Sequence, residues 1–330
     1  MTMTIATSAH PDYQAVFEGA ALYDESAAGR IFMRGRDRAE LLHRLSSNDI
    51  TRLQPGQGAR TVLTTPIGRI IDLLTVHALE EALLVITSPG QGAEVFGHLR
   101  KNIFFNDQVT LEPAGRSHGQ LAMYGPAAEA LLAQMSGVAL DDLPLHHITS
   151  IELAGASALV ARRPPLGSQG FTVYVPTEHL DTVRAAMLEN GIVPLGVEAL
   201  DILRVEHGYG AFGRELGQEY IPLETGLLDA VSFTKGCYVG QEIIARMESR
   251  NRLAKQLRGL RLSAPAVAPG KLEVGGKDAG DLTTAVVSPR FGPIALAYVR
   301  TAHTAAGSFV GIGGTDVTGE VVELPFDGAS

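Results

Sequence analysis

The amino-acid sequence predicts an α+β protein with a β-rich C-terminal part. Two segments show the same order of strand, strand, helix and strand, and the 37 glycines and 17 prolines provide for many tight turns. The chain has 330 residues, more than one hydrophobic core usually holds, so two or three packed units are expected. We expect residues 1–261 to form an α+β core and residues 262–330 to form a separate β domain.

The first of the two segments lies in the N-terminal third of the chain. RIIDLLTVHAL (69–79) and ALLVIT (82–87) are apolar, β-rich runs separated by two glutamates, a pattern typical of a hairpin. A helix is expected over residues 90–102 and a strand over 108–112. Before them, DRAELLHRL (37–45) predicts a short amphipathic helix, because a capping aspartate precedes leucines at helical spacing.

The second segment repeats this order without recognisable sequence identity to the first. Residues 149–163 and 170–175 are expected to form paired strands. A helix over residues 177–190, ended by Gly191, and a short strand over 192–194 should follow them.

The rest of the chain predicts more helix and then a small β domain. Residues 126–135 and 197–207 have the apolar spacing of helices. After about residue 262 the texture changes to SAPAVAPG, EVGGKDAG and SPRFGPIALAYV, in which short β-like runs alternate with glycine and proline turns. This pattern favours a small barrel or sandwich.

Composition argues against several classes of protein. The net charge of −9 does not suit a protein that binds nucleic acid by neutralising many phosphates. No window approaches 18 uninterrupted apolar residues, so no membrane span is expected. One cysteine cannot form an internal disulfide, and the first residues lack the pattern of a signal peptide, which together predict a reducing cytoplasm.

The one cysteine, Cys237, lies in KGCYVGQE (235–242), between two glycine turns. Gly236 and Gly240 predict a tight turn that exposes the sulfur, while the Lys235 ammonium and a helix beginning near Gln241 would favour the thiolate. A buried cysteine that only fills space is the alternative on residue type alone. No metal site is expected, because one cysteine cannot supply an iron–sulfur cluster and the ten histidines lack zinc-type spacing.

KGCYVGQEIIAR (235–246) closely resembles the K-G-C-[YF]-x-G-Q-E-x-x-x-R motif of the YgfZ-type folate-binding proteins. These proteins act in iron–sulfur protein maturation and are relatives of the glycine cleavage T-protein in the aminomethyltransferase superfamily. Residues 32–74, 195–216 and the SPRFGPIALAYV segment resemble the same superfamily in the same order. The likeness therefore spans nearly the whole chain, although its N- and C-terminal parts are shared with the aminomethyltransferases.

The resemblance implies an architecture, a cofactor and partners. The architecture is a three-lobed T-protein-like ring, in which two interleaved ferredoxin-like α+β lobes and a C-terminal β-barrel surround a folate channel. The cofactor would be tetrahydrofolate or a one-carbon derivative of it. Besides this small molecule, the implied partners are iron–sulfur client or assembly proteins.

Two positions depart from the T-protein pattern. T-proteins carry a paired-aspartate segment, G-x-x-x-D-D-L, one aspartate of which is needed for aminomethyl transfer; here GRIIDLL keeps Asp72 and has Leu73 beside it. T-proteins also carry G-Y-T-G-E-D-G-F-E, which provides a carboxylate for the pterin ring. Here Ser168, Gln169 and Thr172 stand at its acidic positions, and Gln169 could still accept a hydrogen bond.

The resemblance also yields a set of candidate site residues. Arg204 and Arg246 would face the carboxylates of folate or organise the cysteine loop, with structural ion pairs as the alternative. The candidates for chemistry are Cys237, Lys235 and Asp72, and those for cofactor binding are Arg204, Arg246, Gln241, Glu242, Gln169 and Tyr238.

Two functions follow as hypotheses. In the first, a folate-binding protein presents Cys237 for assembly or repair of iron–sulfur enzymes, Lys235 helps to ionise the thiol, and Gln241 with Glu242 fixes the loop by hydrogen bonds. In the second, the protein is a folate-dependent aminomethyltransferase or demethylase, with Asp72 as general base or electrostatic anchor.

Overall fold

The computed structural model describes residues 11–250 and 253–326, which form two α+β lobes and a closed barrel. In this part of the chain the α-helices are α1 (Pro11–Glu18), α2 (Arg38–Leu45), α3 (Gly92–Lys101), α4 (Ala128–Ser136), α5 (Leu180–Glu189), α6 (Val197–Glu206) and α7 (Gln241–Arg250). The strands are β1 (Ala21–Asp24), β2 (Ala28–Arg34), β3 (Gly58–Thr64), β4 (Ile70–Ala78), β5 (Ala82–Pro89), β6 (Thr110–Pro113), β7 (His118–Tyr124), β8 (Ile148–Leu153), β9 (Ala156–Arg162), β10 (Gly170–Pro176), β11 (Val193–Pro194), β12 (Lys255–Leu262), β13 (Gly270–Val274), β14 (Lys277–Ser288), β15 (Gly292–Arg300), β16 (Phe309–Ile312) and β17 (Thr318–Val322).

The first lobe is a five-stranded antiparallel sheet in the order β3-β4-β5-β2-β6. Its strands alternate in the usual way, so that one face buries Leu63, Leu74 and Val76. Helices α2 and α3 cover this face with buried residues such as Leu41 and Val95. The opposite face packs against the second lobe and the barrel.

The second lobe is a six-stranded sheet in the order β11-β1-β7-β10-β9-β8. One face packs on α4 and α5 through residues such as Phe171 and Val173, which are fully buried. The other face meets α1 and α6, where Tyr13, Tyr124 and Leu203 share a core. Both faces of this sheet are therefore covered.

The chain weaves between the two lobes. It begins in the second sheet with β1, builds the whole first sheet from β2 to β6, and then returns to the second sheet with β7. The last strand of each predicted segment pairs with a strand that the sequence pattern did not reveal: β6 with β2, and β11 with β1 in parallel. The predicted α+β class with two interleaved lobes is thus confirmed.

The barrel closes in the order β12-β15-β14-β13-β16-β17, and β12 pairs with β17. Its interior is filled by small and branched residues, including Leu260, Leu282, Ala297 and Val321. The first strand begins at Lys255, seven residues before the change in texture at residue 262. The reason is that KQLRGLRL is rich in basic residues and lacks the glycine and proline turns of the later strands.

Two local expectations were wrong. Residues 149–163 form the two strands β8 and β9 instead of one, because Ala154 and Gly155 both take positive φ and make a turn. The predicted capping aspartate, Asp37, makes no cap hydrogen bond to α2; its carboxylate instead accepts from the backbone amide of Gln108 at 2.8 Å. Helix α2 itself forms as predicted.

A buried histidine joins the two lobes. His77 on β4 donates from Nδ1 to the carbonyl of His146 at 2.9 Å, so its Nε2 accepts from the Tyr174 hydroxyl on β10 at 3.0 Å. Burial lowers the pKa of His77 to about 4. The neutral imidazole is thus part of the contact between the lobes.

This contact makes stability depend on pH. Below about pH 6.5 an unfolded histidine takes up a proton, whereas folded His77 does not until about pH 4. The free energy of unfolding therefore decreases as the pH is lowered from about 6.5 to about 4, by about 3 kcal/mol for this group. We expect His77→Gln to flatten the dependence of the free energy of unfolding on pH, measured by urea denaturation. His179→Gln, at an exposed histidine, should leave the wild-type slope unchanged; an unaltered slope in His77→Gln would contradict the assignment.

Candidate functional site

A cavity of 280 Å³ lies where the first sheet, the segment after α6 and the barrel meet. Its volume is near the lower end of pockets that hold small organic ligands. Its lining includes Arg60, Leu73, Tyr209, Leu227 and Leu257.

The strand register decides which residue of the Asp72–Leu73 pair faces this cavity. Leu73 is opposite Val62 and lines the cavity. Asp72 is opposite Leu63, on the face that α2 and α3 cover, and it is fully buried. Because neighbouring residues of a strand point to opposite faces, the one aspartate of the segment points away from the cavity.

Asp72 is held by the backbone. One carboxylate oxygen accepts from the amide of Leu73 at 2.9 Å and the other from the amide of Ser88 at 3.0 Å. Burial raises the pKa of Asp72 to about 6, and the hydrogen bonds from Ser88 and Leu73 oppose that rise. The carboxylate thus links β4 to the end of β5, and a ligand in the cavity would contact Leu73 instead.

An ion pair stands at the cavity. Arg60 on β3 binds Asp229 through two hydrogen bonds of 2.8 and 2.6 Å. Arg60 Nη1 has no hydrogen bond to any residue that the structure describes, so one donor group is uncommitted. Burial raises the pKa of Tyr209, while Arg60 and Arg163 lower it, so Tyr209 lies within the fields of both guanidinium groups.

The second sheet contributes a partly buried polar cluster around Thr172. Glu25 Oε2 accepts from Arg163 Nη1 at 2.6 Å and from Gln120 Nε2 at 2.9 Å. Arg163 Nη1 also lies 3.4 Å from Thr172 Oγ1. We call Glu25, Gln120, Arg163 and Thr172 the Glu25 cluster.

Several buried polar atoms near this sheet have no partner among the described residues. They include Gln120 Oε1 and Arg163 Nε of the Glu25 cluster. Gln169 Oε1, in the turn before β10, is another. Since a buried polar atom without a partner costs free energy, these atoms indicate a place where a ligand or water completes the hydrogen bonding.

Arg204 is part of a structural network. It donates to Asp201 at 2.6 Å and to Glu215 at 3.0 Å, and also to the carbonyl of Tyr209 at 3.1 Å and to Thr284 at 3.1 Å. Its guanidinium is therefore engaged on all sides, as in the ion-pair alternative for this residue. The network fixes Tyr209 at the cavity and ties α6 to the barrel.

The motif lysine anchors the cysteine loop to the first lobe. Lys235 is buried, and its Nζ donates to the carbonyls of His43, Ser46 and Asn48 at 2.5, 2.7 and 2.8 Å. These carbonyls end α2 and the segment after it, where a cation is favoured by the helix dipole. Burial lowers the pKa of Lys235 to about 8.

The remaining motif residues divide into packed and exposed ones. Tyr238 is buried beside Ile244, with its ring 4.9 Å from Lys235 Nζ, and burial raises its pKa to about 12. Cys237 is exposed, which argues against the purely space-filling alternative. Glu242 and Arg246 are exposed on α7. Within the described residues, neither Gln241 nor Glu242 makes a side-chain hydrogen bond to the loop.

Sequence reasoning missed the polar residues that the fold gathers at the cavity and at the second sheet. Glu25 and Arg163 are 138 positions apart in the chain, and Arg60 and Asp229 are 169 apart. No local motif connects residues at such separations. The usable signal was the loss of acidic residues at 168–172, which calls for a compensating carboxylate elsewhere.

Comparisons with known proteins agree with this architecture. Residues 3–235 match the GCVT N-terminal domain, and residues 255–327 match the glycine cleavage T-protein C-terminal barrel domain. The solved aminomethyltransferase T of the glycine cleavage system from Bartonella henselae has the same fold, with a TM-score of 0.87 at 23% identity, over 96% of this chain and 88% of that one.

Two relatives align along nearly the whole chain. A protein of Arabidopsis thaliana named "putative transferase, chloroplastic" is 31% identical over 309 residues, which cover 93% of this chain and 71% of the relative. The aminomethyltransferase of Exiguobacterium sibiricum is 30% identical over 325 residues, which cover 97% of this chain and 89% of that protein.

These matches define the class as the aminomethyltransferase superfamily. More narrowly, the chain belongs to the glycine cleavage T-protein family. Aminomethyltransferases of this family use tetrahydrofolate. The family descriptions and the relatives named above contain nothing specific to YgfZ-type iron–sulfur maturation, so they support aminomethyl transfer better than that role.

Two features are absent from the described residues. No helix in residues 11–250 or 253–326 is long and apolar enough to cross a membrane. In the same part of the chain, no group of three or more histidine, cysteine, aspartate or glutamate side chains is arranged to hold a metal ion.

Proposed function

We propose that this protein binds tetrahydrofolate, or a one-carbon derivative of it, between the cavity and the second sheet. The observation that supports this best is the set of buried acceptors without partners, Gln120 Oε1 and Gln169 Oε1. The pterin ring of folate has an edge rich in N–H donors, which such acceptors would satisfy.

The other parts of folate also find suitable residues. The glutamate tail bears carboxylates, and Arg60 has an uncommitted Nη1 at the cavity. The aminobenzoyl ring is apolar, and Leu73, Leu227 and Leu257 line the same cavity. When bound, tetrahydrofolate would supply the acceptor nitrogen for a one-carbon unit.

The first candidate role is aminomethyl transfer from an amine donor to tetrahydrofolate. The names of relatives along nearly the whole chain favour it. The structure adds a restriction, because Asp72 is buried on the far face of its strand and cannot touch a substrate in the cavity. The carboxylates available at the cavity are Glu323, which lines it and pairs with Arg258, and Asp229, which Arg60 holds.

The second candidate role is support of iron–sulfur protein maturation through Cys237. It is favoured by the exposed thiol on a loop that Lys235 anchors, and by the resemblance of that loop to the YgfZ-type motif. The absence of a carboxylate at position 73 also favours a role other than aminomethyl transfer. Iron–sulfur client or assembly proteins would be the partners.

One set of measurements tests the binding and separates the two roles. We expect calorimetric titration of the wild-type protein with tetrahydrofolate to show saturable binding at one site; absence of binding would refute the proposal. If the first role holds, purified wild-type protein and Cys237→Ala transfer the one-carbon unit equally. If the second holds, neither turns over, and cells carrying Cys237→Ala lose iron–sulfur enzyme activity while cells carrying the control Ser249→Ala, another exposed residue, keep it.

A further inference from the structure

The Glu25 cluster contains more than a structural ion pair needs. We propose that Glu25 provides the carboxylate that recognises the N–H donor edge of the pterin, in place of the acidic residue that Thr172 replaces. This inference rests on the proposed binding of folate and names the residue that would determine its specificity.

Glu25 reaches the site from a different part of the chain. It lies in the turn between β1 and β2, where its backbone amide donates to the carbonyl of Gln120 at 2.9 Å. Gln120 and Thr172 stand on neighbouring strands, β7 and β10, whose register pairs Thr172 with Ala122 and Gln120 with Tyr174. Residues 120, 122, 172 and 174 therefore share one face of the second sheet.

Part of this face is turned toward the first lobe, because Tyr174 shares a core with Leu84 and Ile86. Phe171 and Val173, the neighbours of Thr172, point to the opposite face and are buried under α4 and α5. Thr172 has a hydroxyl group and no carboxylate, but Arg163 Nη1 lies 3.4 Å from that hydroxyl and 2.6 Å from Glu25. The guanidinium of Arg163 thus connects the Glu25 carboxylate to Thr172, the position at which the acidic residue is missing.

Only one oxygen of the Glu25 carboxylate accepts hydrogen bonds from the described residues. Both of its hydrogen bonds go to Oε2, and Oε1 accepts none from the described residues. Gln120 donates from Nε2 to Glu25, which orients its own Oε1 as a buried acceptor without a partner. A carboxylate oxygen and an amide oxygen are two acceptors of the kind that the amino group and ring N–H of a 2-amino-4-oxopyrimidine require.

Arg163 would hold the Glu25 side chain in place. Burial alone would lower the pKa of Arg163, but Glu25 and Tyr124 raise it above its ordinary value, so the guanidinium stays charged. A fixed cation beside a carboxylate prevents it from turning away, and a positioned carboxylate loses less entropy on binding. The ion pair then serves recognition as well as stability.

The test compares binding by three variants of the full chain. We expect Glu25→Gln to weaken tetrahydrofolate binding about 10- to 100-fold in calorimetric titration, because a hydrogen bond to a charged group is lost. The double variant Glu25→Gln/Thr172→Glu should recover most of the affinity, since a glutamate at 172 can also pair with Arg163. Glu112→Gln, which breaks an exposed pair with Arg34, is the matched control and should bind like wild type.

A second measurement uses the wild-type protein alone and does not depend on the folding of a variant. A tetrahydrofolate analogue whose 2-amino group is replaced by methyl should bind at least about tenfold more weakly than tetrahydrofolate itself. Equal binding of the two ligands would overturn the inference, as would unchanged affinity in a folded Glu25→Gln protein. Failure of the wild-type protein to bind any folate would instead refute the proposed function.

Discussion

Replacing Lys235 by methionine is expected to lower the free energy of unfolding by about 2–4 kcal/mol. Methionine matches the length and apolar stem of lysine but cannot donate a hydrogen bond. The carbonyls of His43, Ser46 and Asn48 would lose their shared charged donor, and Ser46 is fully buried. Because Lys235 is the first residue of the motif loop, its loss should also loosen the loop that presents Cys237.

Urea denaturation at about pH 7 measures the first effect, since Lys235 is protonated below its pKa of about 8. The rate at which a thiol reagent modifies Cys237 in the native protein measures the second, and it should rise in Lys235→Met. Lys271→Met is the matched control, because Lys271 is an exposed lysine with one carboxylate partner, Asp281. If both variants unfold at the same urea concentration, Lys235 does not anchor the loop.

The anchor shows what the motif KGCYVGQE could and could not reveal. The sequence correctly indicated a turn with an exposed cysteine and a helix beginning at Gln241. It placed the Lys235 charge beside the thiol, since the two residues are neighbours in the chain. In the fold the ammonium points into the first lobe, toward carbonyls nearly 190 positions earlier, and only tertiary structure determines such a contact.

The elements of the fold were predictable to the extent that their patterns are local. The hairpin of β4 and β5, helices α2, α5 and α6, and the barrel texture all follow from spacing within one segment. Strands β1, β2 and β7 were missed, and these are the strands that weave the lobes together. Their pairing joins residues far apart in sequence, such as Leu22 with Met123, so no local pattern specifies it.

The sequence shows two departures from the T-protein pattern, but only the strand register shows which residue of the Asp72–Leu73 pair faces the cavity. The sequence identifies Asp72 as the surviving member of the aspartate pair. The pairing of Leu63 with Asp72 and of Val62 with Leu73 shows that the two positions face different compartments. The cavity position is therefore the one that has lost its carboxylate.

This geometry predicts the second large effect. Leu73→Asp should raise transfer of the aminomethyl carbon to tetrahydrofolate at least about tenfold over wild type, because it puts a carboxylate on the cavity face of β4. A correctly placed carboxylate can act as a base or stabilise a cationic intermediate, which leucine cannot do. The substitution will cost some stability, since Leu73 packs against an apolar cluster that includes Val205 and Leu216, so the assay belongs well below the melting temperature.

Two controls separate the charge from the loss of packing. Leu73→Asn introduces a side chain of the same size as aspartate, at a similar cost in stability, but without a charge. It should show no gain in transfer. Asp72→Asn changes a carboxylate on the far face and should leave any wild-type transfer unaltered, apart from its effect on stability. If Asp72→Asn abolishes transfer in a folded protein, the carboxylate at 72 must reach the substrate after all, and the assignment of faces to β4 fails. If Leu73→Asp gains and Leu73→Asn does not, the register of one strand accounts for the difference between this chain and a carboxylate-bearing transferase.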